Sequence, residues 1–276
     1  MTVLVLTDTA ASVSPTDAAE RGVVLVPLTV IVEGRAYRDT EVNAAILASG
    51  RATTSGPAPG DYLAALQAAP HGAVIVTLAT ALSSTNASAR AAAALCDVPI
   101  EVVDSTSASG GQTLVALAAA DEARRGGSVD QVAAAARAAA ADVRLVGALG
   151  SLDGLARTGR VPGLVAGAAR RTGWQFMFTL SNGVIRPLRP AATRAAAVDR
   201  LVELCVASGS LGSVVDLVIL GESGELQRRL NETADAGRLA IGAAITADFG
   251  TAIAVYTGPH LTGLAWRWRA PAEPRA

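Results

Sequence analysis

Residues 73–89 read Ala73-Val74-Ile75-Val76-Thr77-Leu78-Ala79-Thr80-Ala81-Leu82-Ser83-Ser84-Thr85-Asn86-Ala87-Ser88-Ala89. The first six are continuously apolar or β-branched, which suits a strand covered on both faces of a parallel sheet. The Ala-rich run Asn86–Leu95 that follows has helix formers without breakers. Strand, short hydroxyl loop, helix is the repeating unit of an α/β fold, and its binding loops lie at the carboxyl ends of the strands.

Working outward, Val3–Leu6, Val23–Val30 and Ile100–Val103 are further short apolar runs of the same kind. Pro59–Ala69 and Gln112–Arg125 alternate with them as helices, the latter stopped by Arg124-Arg125-Gly126-Gly127. These units predict a three-layer α/β/α domain with a parallel sheet over residues 1–150. Past residue 150 the pattern changes. Phe176–Leu180 and Val184-Ile185 flank Ser181-Asn182-Gly183, where Asn-Gly supplies the left-handed turn of a hairpin. A helix over Ala191–Ala207, a strand over Val214–Leu220, a helix over Glu225–Ala234 and strands over Ala240–Thr246 and Thr251–Tyr256 predict a two-layer α/β domain over 151–276, with its helices on one side.

Composition narrows the chemistry. Lys and Arg total 23, and every one is Arg, so a Lys Schiff base or a phosphate-loop Lys is impossible. Two His (His71, His260) and two Cys (Cys96, Cys205) stand far apart, so no zinc-ligand spacing exists, and neither a metal nor a cofactor is expected. With 51% hydrophobic residues but 3% aromatics, the core must be packed by Ala, Val and Leu. The strand Val3–Leu6 follows the first residues without a basic leader, and no apolar run approaches the roughly 18 residues of a membrane span, so the chain reads as cytoplasmic. Arg157, Arg160, Arg170, Arg171, Arg186, Arg189, Arg194 and Arg200 face one acid, Asp199, a charge imbalance suited to an acidic partner or a transient contact with an anionic membrane surface. Sparse aromatics argue against single-stranded nucleic acid.

Two hydroxyl clusters carry the functional signal. Thr53-Thr54-Ser55-Gly56-Pro57-Ala58-Pro59 and Leu82-Ser83-Ser84-Thr85 each precede an expected helix. A helix start exposes unpaired N–H groups and positive dipole density, so hydroxyls there make a neutral cradle for a carboxylate or phosphate. The competing reading makes them helix caps, each stabilising by about 1 kcal/mol. A different class is suggested by Gly221-Glu222-Ser223-Gly224-Glu225, which follows a strand as a hydrolase nucleophile elbow does, but Glu225 replaces the second Gly of that motif. Only His260 lies downstream of Ser223 to complete a triad.

In order and spacing, Thr7-Asp8-Thr9, Val26-Pro27-Leu28, Tyr37 with Asp39, the two hydroxyl clusters, Val103-Asp104-Ser105, Gly159-Arg160, Gly183 and Thr257-Gly258-Pro259 resemble the DegV family over almost the whole chain. That resemblance implies a long-chain fatty acid held in a tunnel between the two domains, its carboxylate on Thr54, Ser55, Ser83, Ser84, Thr85 and Tyr256. It also implies a separate fatty-acid kinase subunit as partner, which would carry the ATP, so the chain itself is expected to catalyse nothing. Ser84 stands where the family usually has Gly, Tyr256 where it has His, His260 where it has Gly, and Gln175-Phe176 where it has Lys-Pro. An acyl phosphate or phospholipid is the alternative cargo.

Overall fold

The computed structural model describes residues 2–43, 46, 51–153, 174–210, 212–221, 224–258 and 261–269. Strands β1 (Leu4–Asp8), β2 (Val23–Val26), β6 (Ala73–Thr77) and β7 (Ile100–Asp104) form a parallel sheet in the order β2-β1-β6-β7. Helix α1 (Pro15–Glu20) links β1 to β2, and helices α2 (Pro59–Leu66) and α3 (Thr85–Ala93) cover one face, with Tyr62, Leu66, Ala89 and Ala92 packed on Leu6, Ile75 and Val102. On the other face lie α4 (Ser109–Arg124) and α5 (Val129–Asp142), whose Ala-rich inner sides let helix and sheet approach closely. The expected helix–sheet–helix layering is therefore present. Helix α5, unassigned by pattern, begins with a capping box in which Ser128 and Gln131 satisfy one another's backbone N–H groups.

A second, six-stranded mixed sheet has the order β10-β9-β8-β13-β11-β12. It is built from β8 (Arg144–Leu149), β9 (Phe176–Ser181), β10 (Val184–Pro187), β11 (Val214–Gly221), β12 (Ile241–Ala247) and β13 (Thr262–Arg269). Helices α6 (Arg194–Ala207) and α7 (Gly224–Asp235) pack on one face through Leu201, Cys205, Leu226 and Leu230. The opposite face rests on α4 through Val218, Leu220 and Ala265, so α4 is shared between the two sheets. The fold is a two-domain α/β architecture in which helices separate a parallel from a mixed sheet. Among the described residues no helix is long and apolar enough to cross a membrane.

Three expectations need correction. The run Val23–Val30 is two strands in two sheets: β2 ends before Pro27, which has no N–H to donate, and β3 (Thr29–Val32) joins β4 (Arg35–Arg38) and β5 (Ala52–Ser55) in a small antiparallel sheet. The helix α2 starts at Pro59 as expected, with Asp61 accepting the Ala58 N–H, but Thr53 to Ser55 do not lie at its first turn: they belong to the unassigned strand β5, three residues ahead of it. Thr251–Tyr256, β-branched and therefore read as a strand, lies in helix α8 (Gly250–Thr257), whose buried Ala252 and Val255 pack on Val30 and Val42. The hairpin is confirmed: Asn182 and Gly183 have φ of 51° and 73°, both in the left-handed region. Arg157, Gly159, Arg160, Arg170, Arg171, Ser223, Pro259 and His260, singled out in the sequence, lie outside the described residues.

Candidate functional site

The site begins with two carboxylates at the ends of β1 and β7, the strands that flank β6 on either side. Asp8, closing β1, accepts the N–H of Leu78 at 2.9 Å and of Ala10 at 3.1 Å. Asp104, closing β7, accepts the N–H of Thr80 at 3.1 Å and of Thr106 at 2.7 Å. Between them they hold the backbone of the loop leading from β6 to α3, the loop that bears Ser83 and Ser84. Asp8 is fully buried, and desolvation pushes its carboxyl up to about 6 even though the bonds from the Leu78 and Ala10 N–H groups pull the other way.

In that loop the Ser83 and Thr85 hydroxyls are 2.7 Å apart, and Ser83 Oγ also accepts the Thr85 N–H at 3.3 Å. Ser84 occupies the cap position of α3, yet its side chain makes no capping hydrogen bond and stays exposed. Capping is thus not what its hydroxyl does here. Thr85 is wholly buried behind Ser83. Gly56 closes on it so tightly that an added Cβ would sit 2.5 Å from Thr85 Oγ1, which joins the end of β5 to the start of α3. From β5 itself the Thr54 hydroxyl hydrogen-bonds the Tyr256 phenol on α8.

These groups border a cavity of about 360 Å³, within the range of small-molecule pockets. Thr54, Ser55, Gly56, Ser83, Ser84 and Tyr256 give it polar groups, and Leu28, Leu78, Leu82, Leu145, Leu180 and Ile185 give it apolar wall. No described lining residue carries a charge. The structure therefore brings five of the six sequence-selected residues to one cavity and sets Thr85 one layer behind them. Hydroxyls and helix-end amides can solvate an anionic head group without a counter-charge, and the rest of the cavity suits a hydrocarbon.

Neighbouring contacts fix the frame. Asp39 accepts the Thr9 hydroxyl at 2.6 Å, and Thr9 Oγ1 accepts the Leu28 N–H at 2.9 Å, so the start of β3 is tied to β1; burial pushes the Asp39 carboxyl up despite that bond. The hairpin tip docks through the Gly183 N–H on the Thr106 carbonyl at 2.8 Å, against Ala79 and Ala81 of the loop after β6. Pattern reading missed Gly147, Phe178, Phe249 and Gly263, which also line the cavity. Gly in the interior of a strand was the available signal, since it costs packing and marks a close approach.

Burial pushes the Cys205 thiol up to about 12, far from a thiolate nucleophile, and His71 sits in an exposed turn. Among the described residues no three His, Cys, Asp or Glu side chains gather as a metal site.

A two-domain α/β protein with one apolar, hydroxyl-capped cavity is the class these features define. The DegV family, described as uncharacterised proteins, matches residues 2–268, and the chain belongs to it. A DegV domain-containing protein of Streptomyces coelicolor is 32% identical over 278 residues, covering 95% of this chain and 97% of the relative. Among solved structures, a DegV family protein from Thermus thermophilus, described for fatty acid binding, is 25% identical with a TM-score of 0.84 over 97% of this chain and 99% of that one. The fatty acid kinase B3 protein of Streptococcus pneumoniae, loaded with linoleic acid, shares the fold at 21% identity and a TM-score of 0.82, covering 97% and 99%.

Proposed function

We propose that this chain binds one long-chain fatty acid, with its carboxylate at Thr54, Ser55, Ser83, Ser84 and Tyr256 and its acyl chain in the apolar part of the cavity. The observation that carries this reading is the cavity itself, polar along one side through neutral hydroxyls and otherwise lined by aliphatic side chains. A carboxylate buried without donors would cost several kcal/mol, and these hydroxyls with the first amides of α3 answer that cost. Thr85 would act from behind, through its hydrogen bond to Ser83. Family membership and the fatty-acid-binding relative from Thermus support the same cargo.

The reading extends to a tunnel between a domain of residues 1–150 and one of 151–276, with β8 (Arg144–Leu149) of the first range pairing in the sheet of the second, and to presentation of the carboxylate to a separate kinase subunit. The absence of Lys fits a chain that leaves ATP to its partner. Exposed Trp174 and Val184 beside Arg186 and Arg189 support brief contact with an anionic membrane surface during loading. The test is lipid extraction and mass spectrometry of the purified chain, followed by oleate titration of the delipidated protein. Recovery of a phospholipid or acyl phosphate in place of a fatty acid would reassign the cargo.

A further inference from the structure

Phe is scarce here, at 3 residues in 276, and two of the three border the cavity. Phe178 lies in β9 directly opposite Gly147 of β8, and Gly147 is in turn opposite Gly263 of β13. An added Cβ at Gly147 would sit 2.6 Å from Phe178 Cζ and 2.7 Å from its Cε1. One at Gly263 would sit 3.2 Å from Phe249 Cζ. Neither glycine has a left-handed backbone, so what each contributes is the missing side chain. Glycine in a strand interior weakens the sheet, and two paired across adjacent central strands compound that cost. The space they leave is filled by two aromatic rings.

The rings are offset from the hydroxyls along α8, although Tyr256 packs with both of them on Leu149, Leu152 and Leu261. Phe249 stands at the start of α8 and Tyr256 near its end, a separation of about 10 Å along the helix axis. Tyr256 bonds Thr54, whereas Phe249 rests against Gly263 beside Gly147 and Phe178. Leu145, Leu180 and Ile185 line the same cavity.

We infer that Phe178 and Phe249, seated on Gly147 and Gly263, form the stop that sets the acyl-chain length this protein accepts. This deepens the lipid reading above and rests on it. A chain that reaches the rings gains its last methylenes by burial, and a longer one must displace a ring or leave its head group. Replacing Phe178 by Ala opens the stop, while Gly147→Ala drives the Phe178 ring into the cavity and shortens it.

The experiment measures affinity of the delipidated protein for laurate, palmitate, stearate and arachidate, in wild type, Phe178→Ala, Phe249→Ala, Gly147→Ala and the milder Phe178→Leu. Wild type should show a chain-length optimum. The Phe variants should move it to longer acids, gaining about fourfold for each further methylene that is buried; Gly147→Ala should move it to shorter ones. Phe178→Leu retains a core side chain and reports even where Phe178→Ala does not fold. If wild type has an optimum and every folded variant keeps it, the stop is elsewhere and the inference fails alone. If wild type binds none of the four acids, the inference falls together with the lipid reading.

Discussion

The Thr54 hydroxyl, on an edge of the small antiparallel sheet, meets the Tyr256 phenol on α8, 202 positions later in the chain. That contact ties the first hydroxyl cluster to the segment next to Thr257-Gly258. It also places a phenol, rather than a cationic imidazole, beside the proposed carboxylate. A phenol still donates a hydrogen bond but adds no charge.

Removing that phenol tests its role. Tyr256→Phe should weaken oleate binding about tenfold, the scale of one hydrogen bond to a charged group at roughly 1.5 kcal/mol. Isothermal titration of the delipidated protein reads this directly. Unchanged affinity would assign Tyr256 to packing and to its bond with Thr54.

Thr54→Ala combined with Ser83→Ala should lower fatty-acid affinity by about 100-fold or more, at about 1.5–3 kcal/mol for each lost bond to the carboxylate. Stability should also fall, by about 1–3 kcal/mol, because Ser83→Ala strips the buried Thr85 hydroxyl and N–H of their acceptor and Thr54→Ala frees Tyr256, so affinity is read on the folded fraction. A double variant that melts far earlier yet binds normally when folded would mean that the hydroxyls serve only the structure.

Gly56→Ala should destabilise the protein by about 1–3 kcal/mol, as overpacking does, since the new methyl meets Thr85 Oγ1. Thr85→Ala removes that oxygen. The double variant should therefore lose less than the sum of the two single losses in chemical denaturation, and strict additivity would show that the two positions do not press on one another.

The buried Asp8 predicts a pH dependence of stability. Its carboxyl is raised from 3.8 to about 6 in the fold, so between those values the native state holds more protons than the unfolded chain. Stability is then highest below the lower value and falls as pH rises through the window, by about 3 kcal/mol for this group. Asp39 is raised also and acts in the same direction. In denaturant melts from pH 4 to 7, Asp8→Asn should flatten the fall, although the amide loses one acceptor for the Leu78 or Ala10 N–H. A wild type and variant with parallel pH profiles would contradict the assignment.

What was legible in the chain follows from local physics. β1, β6 and β7 are short apolar runs between helix formers, and the Asn182-Gly183 turn needs no tertiary context, so both read correctly. The second hydroxyl cluster was legible for the same reason, since Thr85 opens a helix after a strand and loop. For the first, Pro59 marked the helix start correctly, but the strand over Ala52–Ser55 was missed because it is short and half polar and is held by pairing with the distant strand β3. α8 was misread because Thr, Ile and Val favour strands, and its helical state is selected by packing Ala252 and Val255 on the small sheet. β13 went unassigned, its Gly263 and two Trp giving no clean alternation, although it pairs with both β8 and β11 at the centre of the second sheet. The glycine-seated Phe rings became visible only when registers set Gly147 opposite both Phe178 and Gly263.

The central claim is that the cavity holds a fatty acid by its carboxylate, and native mass spectrometry of the freshly purified chain tests it most directly. The predicted spectrum shows the chain with one added mass of a long-chain fatty acid, lost on delipidation, restored by oleate, and much weakened in the Thr54→Ala, Ser83→Ala variant. An empty chain that takes up neither oleate nor palmitate would contradict it.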